Sequence, residues 1–439
     1  MSRGLIEATV WISVYLVATI APLAVVMLVD TPPGRGFWTE LSSALGFVGL
    51  AMITLQFVLT SRIRRFSWPY GMDIVLQFHR QISLVAGALL LAHLVVLFAT
   101  RPETLALLNV IEAPWRARFA VISMIALVVI VVSSVWREAL GLSYERWRLL
   151  HGTLAVVAVA TGLAHVVGVG YYLELAWKQW MWIAMVGVAV AAFAYIRIGK
   201  PMVQLHKPWE VVEVREERGE TWTLAVRPIG HDGIAFQAGQ FAWITLSRSP
   251  LVIREHPFSF SSSAEDIPRV EFTIKALGDF TKGIRHLEPG TRAYLDGPHG
   301  AFTIRRNPAD GYVFIAGGIG ITPIMSMLRT LADRGDERPL LLIYGSGSWE
   351  EVTFREELDE LTRRIDLEVI HVLRDPPADW DGPTGYVDKA LLERHLPDLY
   401  TERFYFMCGP QVMMATVEEA LLGLGVPLDR ALMERFDLV

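Results

Sequence analysis

Residues 77–99 read QFHRQISLVAGALLLAHLVVLFA, and residues 149–171 read LLHGTLAVVAVATGLAHVVGVGY. Each stretch is long and apolar enough to cross a bilayer, which asks for about 20 residues. Each carries two histidines with thirteen residues between them: His79 and His93 in the first, His151 and His165 in the second. Residues 1–198 hold no other histidine. Fourteen helical steps rise ~21 Å and turn through nearly four whole turns. Each pair therefore points to one side of its helix, with one member toward each membrane face. Two such helices side by side can hold two haems, one above the other. Each iron would be gripped by one imidazole from each helix. That arrangement is a wire for electrons across a bilayer.

Intramembrane histidines can also pair with each other or line a proton path, and they are functional either way. Four of them, in two equally spaced pairs on parallel spans, favour axial ligation of haem. A metal-ion transporter would place carboxylates beside its histidines, and these two stretches contain none.

The rest of the chain divides in the same sense. It has 439 residues, of which 52% are hydrophobic, and a mean hydropathy of +0.37. That is too apolar for an ordinary soluble enzyme, and the length predicts two or three domains. Up to about residue 198 the chain is a series of long uncharged runs. Beyond about residue 206 it reads as a soluble α/β protein. The net charge of -6 gives no reason to expect a nucleic-acid partner. The single cysteine, Cys408, rules out an intramolecular disulfide or a cysteine zinc site.

Six spans are predicted, at roughly 8–29, 39–60, 77–99, 117–136, 149–171 and 179–198. The first is long enough to span and lacks a small-residue cleavage site, so it reads as a retained helix. Arg62, Arg64, Arg65, Arg137, Arg146, Arg148, Arg197, Lys200 and Lys207 gather in alternate loops, which should be cytoplasmic. The opposite loops hold Arg35, Arg101, Arg116, Arg118 and Lys178. Both termini and the soluble half then face the cytoplasm. His79 and His151 are the inner histidines and His93 and His165 the outer ones. Arg80, beside His79, is placed to meet a haem propionate or to act as an interfacial anchor.

In the soluble half, short β-rich runs at Trp209–Arg215, Thr221–Pro228, Phe241–Thr245 and Val270–Ala276 suggest an antiparallel barrel. Next to one of them lies His256-Pro257-Phe258-Ser259. The Phe258 ring suits stacking on an isoalloxazine, the Ser259 hydroxyl suits its redox-active nitrogen, and His256 can reach toward phosphate. Lys275 precedes Gly278-Asp279-Phe280-Thr281, a glycine turn opening a helix through Leu287. Such a turn makes an anion site for a flavin pyrophosphate, although Asp279 can equally be an N-cap. Asp296-Gly297-Pro298-His299-Gly300 reads as a tight turn near the end of the barrel.

Residues 309–439 alternate strand and helix. The strand Tyr312–Ala316 runs into Gly317-Gly318-Ile319-Gly320-Ile321-Thr322-Pro323 and then a helix to Ala332. That is the strand, glycine turn and helix layout for a dinucleotide pyrophosphate. Further strands at Pro339–Tyr344, Leu367–Leu373 and Arg403–Met407 should end in Gly345-Ser346-Gly347-Ser348, in Arg374 and in Cys408-Gly409-Pro410. Ligands bind at the carboxyl ends of such strands, so these turns converge on one crevice. There Cys408 is either a small buried apolar residue or a contact for the nicotinamide.

Taken together, these motifs resemble the NADPH oxidase and ferric reductase superfamily, over nearly the whole chain. The resemblance implies a six-helix transmembrane bis-haem domain at 1–200. It implies a FAD-binding antiparallel β-barrel at 201–308 and a Rossmann-like NAD(P)H-binding α/β domain at 309–439. His79, His93, His151 and His165 match the family's ligands for two haem b groups. His256-Pro257-Phe258-Ser259 and Gly278-Asp279-Phe280-Thr281 are similar to its FAD motifs. Gly317–Pro323 and Cys408-Gly409-Pro410 resemble its pyridine-nucleotide motifs. Phe436 is the candidate for the near-terminal aromatic that covers the flavin. Ser346 and Ser348 stand where NADPH users commonly place an arginine, which leaves NADPH or NADH open.

The resulting expectation is an enzyme of the bacterial inner membrane that passes electrons from NAD(P)H through FAD and two haems to the far side. It needs the bilayer and no obligate protein partner. Oxygen, giving superoxide, is the expected acceptor, and a ferric chelate is the alternative. A haem electron donor to a quinone or periplasmic partner is a third reading, and a redox sensor with little turnover a fourth. Turnover of NAD(P)H with small acceptors separates them.

Overall fold

The computed structural model describes residues 3–62 and 72–435. Two compact units emerge, one holding most of the residues up to Gly199 and the other holding those from Lys200 onward.

Among the described residues, the first unit contains six helices long and apolar enough to cross a membrane. They are α1 (Arg3–Leu28), α2 (Phe37–Leu59), α3 (Met72–Thr100), α4 (Trp115–Val135), α5 (Tyr144–Val169) and α6 (Ala176–Ala194). All six expected spans are present, and each helix begins a few residues before the expected start. Helix α5 starts early because Ser143 caps it, its hydroxyl accepting from the Arg146 N–H. It stops at Gly170, whose φ of 70° is the left-handed conformation that ends helices.

Helix α2 is the centre of this unit. Phe47, Leu50, Met52, Ile53 and Phe57 pack with Val159 of α5 and Trp182 and Val186 of α6. Within its most apolar 18 residues α2 is 56% buried, against 6% for α3. Helices α4 and α5 pack along their length, whereas α3 is not among the close neighbours of α5. Contact between α2 and α3 depends on missing side chains. A Cβ at Gly49 would lie 2.6 Å from the Leu90 side chain, and one at Gly46 3.3 Å from the His93 ring.

Lys178, expected among the cations of an outer loop, is buried inside α6. Its ammonium donates to the backbone carbonyls of Val26, Val29 and Asp30, at 3.3, 2.5 and 3.1 Å. These are the orphan carbonyls at the end of α1. The cation is spent on a cap, so it is not available as a surface charge.

A π-helical turn at Tyr195–Gly199 follows α6. The second unit then opens with α7 (Lys200–Leu205) and the strands β1 (Trp209–Glu217), β2 (Thr221–Pro228), β3 (Phe241–Leu246), β4 (Glu255–Ser259), β5 (Val270–Lys275) and β6 (Arg292–His299). Their order is β4-β3-β6-β1-β2-β5, all antiparallel. A further bridge from Phe260 to Phe272 joins the end of β4 to β5 and closes the barrel. Leu224, Val226, Ile244, Phe260, Val270 and Phe272 fill it, and each buried side chain of this size stabilises by about 1.5–3 kcal/mol.

Two expectations need correction. His256-Pro257-Phe258-Ser259 does not flank a strand; it is one, β4. Asp296–His299 is not a turn but the end of β6. Gly297-Pro298 forms a bulge there, because Asp296 pairs with Trp243 and His299 with Phe241, leaving two residues opposite Ala242. A bulge tolerates a proline that a regular ladder would not.

The chain continues through α8 (Asp279–Gly283), which precedes β6, and then a five-stranded parallel sheet. The strands are β7 (Tyr312–Gly317), β8 (Leu340–Ser346), β9 (Leu367–Leu373), β10 (Phe404–Cys408) and β11 (Ala431–Glu434), in the order β11-β10-β7-β8-β9. The helices are α9 (Ile321–Asp333), α10 (Arg355–Arg364), α11 (Lys389–His395) and α12 (Gln411–Gly423). Two apolar clusters pack against this sheet. This is the doubly wound order, with its switch point between β7 and β10. Gly345 and Ser346, expected in a turn, extend β8, pairing in register with Val372 and Leu373.

Candidate functional site

In the membrane unit, all four expected histidines lie on α3 and α5, and the protein leaves each only half-buried. The rings of His79 and His151 have centroids 6.2 Å apart. A metal bound between two imidazoles at roughly 2.0–2.1 Å per bond requires a centroid separation of about 6 Å.

Each Nδ1 is engaged by an acceptor on another helix. That of His79 lies 2.8 Å from Gln56 Oε1, and that of His93 2.8 Å from the Ser42 backbone oxygen. The Ser42 hydroxyl is a further 3.0 Å neighbour of His93 Nδ1. The His151 Nδ1 is 3.4 Å from Ser134 Oγ, and the His165 Nδ1 is 2.9 Å from the Arg116 backbone oxygen. An imidazole that donates from Nδ1 presents its Nε2 lone pair to a metal, which is the usual way a ligating histidine is fixed. The donor set therefore fits two bis-imidazole irons. Ser42, Gln56 and Ser134 were not singled out in the sequence, and Arg116 was read only as a loop cation, yet Ser42 and Gln56 stand fourteen positions apart, like the histidines they serve. Arg80 is exposed on α3, next to His79.

In the reductase unit the two flavin motifs meet. The Phe280 ring stacks on His256 at 3.9 Å and runs parallel to Phe258 at 6.0 Å. Pro257 is half-buried between them in β4. Ser259 is buried and its hydroxyl has no hydrogen-bond partner among the described residues. A buried hydroxyl left without a partner costs about 1–3 kcal/mol, so this orphan fits a ligand atom such as the polar edge of a flavin. The Thr281 hydroxyl is already engaged: it accepts from Leu277 N–H and Gly278 N–H and donates to the Gly278 oxygen. It holds the turn in shape, while Asp279 and Phe280 open α8. Lys275 reaches Glu351 at 4.0 Å.

At the switch point the loops after β7 and β10 touch through glycine. A Cβ at Gly320 would lie 2.2 Å from the Cys408 oxygen, and one at Gly409 would lie 3.0 Å from Gly317 Cα. Gly318 carries a φ of 52°. The expected turn is shorter than the motif: Gly318–Gly320 is a 3-10 turn, and α9 starts at Ile321. The Thr322 hydroxyl donates to the Ile319 oxygen at 2.9 Å, and Pro323 sits in the first helical turn, where its missing N–H costs nothing. Pro410 stands exposed before α12.

Ser346 ends β8 with its hydroxyl oxygen buried and unpartnered among the described residues. Cys408 is fully buried and pairs in register with Glu434 of β11. Burial, and then the Glu434 carboxylate, push its thiol well above the ordinary range, so it stays a neutral thiol. Glu434, itself buried, was missed in the sequence because no motif marks it. Phe436 lies outside the described residues, as do Arg64 and Arg65.

Comparison with known proteins now bears on these sites. Residues 45–162 match the family model of the ferric reductase like transmembrane component, and residues 314–419 match the oxidoreductase NAD-binding domain. Ferredoxin–NADP reductase B of Sorangium cellulosum is 31% identical over 251 residues, 51% of this chain and 100% of that protein. The chain belongs to the NADPH oxidase and ferric reductase superfamily. Members of this superfamily join a ferric-reductase-like membrane domain to a ferredoxin–NADP reductase-like module, and both are present here. The glycine betaine monooxygenase reductase subunit of Pseudomonas aeruginosa is 32% identical over 195 residues. That match covers 44% of this chain and only half (50%) of the subunit. A flavohemoglobin from Malassezia yamatoensis shares the fold alone, with a TM-score of 0.51 at 17% identity over 90% of this chain and 98% of that one. The superfamily member described here is thus a membrane oxidoreductase with a FAD- and NAD(P)H-binding reductase module.

Proposed function

We propose that this protein carries electrons from NAD(P)H across the membrane to oxygen on the opposite side, which leaves as superoxide. The observation that carries this reading is the set of four histidines, each fixed through Nδ1, with His79 and His151 separated by 6.2 Å. When bound, FAD turns the two-electron hydride of NAD(P)H into single electrons, and two b-type haems relay them.

The chain's own residues bind and orient. His79 and His151 would hold the inner haem, and His93 and His165 the outer one, with Arg80 near a propionate. The Ser259 hydroxyl, buried and unpartnered, offers the flavin edge a hydrogen bond. His256, Phe258 and Phe280 form the aromatic wall beside it. The glycine contact at Gly320 and Gly409 lets the pyridine nucleotide lie over the switch point. Cys408 lies beneath that crevice as a buried neutral thiol, with its backbone oxygen against Gly320. Arg101 and Arg116 give the far side a positive charge that suits an anionic acceptor or product. Arg62, Arg137, Arg146 and Arg148 support a cytoplasmic reductase unit in a bacterial inner membrane. A ferric chelate is the second reading, favoured by the ferric-reductase match of the membrane half.

The test is NAD(P)H oxidation by the purified protein in detergent with FAD and haem supplied. Superoxide-dependent reduction of cytochrome c supports the oxidase, and turnover only with ferric chelate supports the reductase. Absence of turnover with any small acceptor overturns both. In His93→Ala, one haem should be lost while flavin reduction persists; two haems in that variant would overturn the ligand assignment.

A further inference from the structure

Helix α2 runs antiparallel to α3 and touches both of its histidines. Gln56 meets His79 and Ser42 meets His93, so two acceptors fourteen residues apart on one helix serve two histidines fourteen apart on the other. The two contacts differ in kind. At His93 the strong acceptor is a backbone carbonyl, at 2.8 Å. Its partner His165 also uses a backbone carbonyl, that of Arg116, at 2.9 Å. At His79 the acceptor is a side-chain amide, Gln56 Oε1, at 2.8 Å. Among the described residues, its partner His151 has only the Ser134 hydroxyl at 3.4 Å. That hydroxyl already donates to the Ile130 oxygen and accepts from the Trp147 indole.

We propose that Gln56 sets the redox potential of the His79/His151 pair, whereas the His93/His165 pair is set by backbone carbonyls that no side-chain substitution removes. The inference rests on the haem reading above. An acceptor on Nδ1–H pushes electron density toward Nε2 and makes the imidazole a more basic ligand. A more basic axial ligand favours the oxidised iron and lowers the potential. Gln56 is buried, with 7% exposure, so water does not take its place. Its amide must present Oε1, because Nδ1 has to carry the proton when Nε2 faces a metal. Gln56 touches the ligand and not the iron, so it is a positioning residue. A glutamine acting only as polar glue between α2 and α3 would not move a potential.

The experiment is spectroelectrochemistry of the haem-loaded full chain in detergent. Haem is first counted in the wild type by the pyridine haemochrome method. Two haems per chain uphold the reading on which the proposal rests, and none would overturn that reading before any variant is made. The component due to His79/His151 is assigned by its disappearance in His151→Ala. In Gln56→Leu that component should rise by about tenfold in its one-electron equilibrium constant, or about 59 mV, with its low-spin EPR signal altered. The other component should stay in place. Gln56→Glu keeps a carbonyl-type acceptor at the same reach, and should hold the wild-type potential or move below it. Ser42→Ala leaves the backbone acceptor of His93 and should move neither component. Two bound haems with unmoved potentials in Gln56→Leu, or equal shifts in both components, would overturn the proposal. If Gln56→Leu fails to fold, Gln56→Glu decides it: a rise in the His79/His151 component would refute the acceptor role.

Discussion

The two units solve the burial of polar groups in opposite ways. In the reductase unit the chemistry sits at strand ends above a dense core. Phe314, Ile315, Met325, Leu328, Leu342, Tyr405 and Phe406 are all fully buried there. In the membrane unit the histidines sit one toward each end of α3 and of α5, two helices that are not close neighbours, and α3 is the least buried of the six. The reductase unit therefore has a core of its own and borrows cofactors for reactivity. The membrane unit has half-buried imidazoles on two helices that are not close neighbours, so a planar group between them would complete its packing as well as its chemistry. The difference teaches that loss of a ligand should be felt as function in one unit and as structure in the other.

The strongest way to break that comparison is at the histidines. His165→Ala should abolish electron delivery to the far side, to below about 1% of wild type, and lower the thermal stability of the membrane unit. NAD(P)H-dependent reduction of a soluble artificial acceptor should persist. If stability in detergent is unchanged while one haem is lost, the packing half of the comparison fails.

Next in size is Gly320→Ala, whose Cβ would lie 2.2 Å from the Cys408 oxygen. A rigid backbone clash of this kind should cost about 3 kcal/mol or more. Chemical denaturation should register it in the reductase unit with the haem spectrum unaltered.

The pH dependence should also divide the units. Burial pushes the His371 imidazole of β9 down to about 4, so it stays neutral in the folded state while an unfolded chain takes up a proton. Stability from this source is intact above pH ~6.5. It is lost as pH falls from about 6.5 toward 4, by up to about 3 kcal/mol. In His371→Leu the acid limb of the reductase stability profile should flatten; an unchanged limb would refute this source.

The smallest expected effect is at Lys178. In Lys178→Met three helix-end carbonyls lose their donor, at a cost of about 1–3 kcal/mol. The membrane unit should melt lower, with NAD(P)H oxidation by the reductase unit unchanged.

Legibility in the sequence followed the physics of each unit. The four histidines could be read because helical geometry turns spacing into direction. Strands β2 and β9 could be read end to end because apolar runs bounded by turn residues are hard to mistake. Strand β6 was hidden by Gly297-Pro298, which reads as a turn and is a bulge only because β3 lies opposite. The acceptors Ser134 and Arg116 were hidden because the register between α4 and α5 is a tertiary fact. Ser42 and Gln56 are different: their spacing was visible, but its meaning needs the antiparallel pairing of α2 with α3. Lys178 misled because a lone cation at a span end ordinarily snorkels to water.

That lysine also bears on how the protein is made. Its three acceptors close the first helix, and it is itself carried by the sixth. During synthesis the end of α1 must wait, its carbonyls uncapped, until almost the whole membrane unit has been inserted. Of the six described spans, the earliest in the chain is then among the last to be locked. A chain truncated before α6 lacks the cation that closes α1.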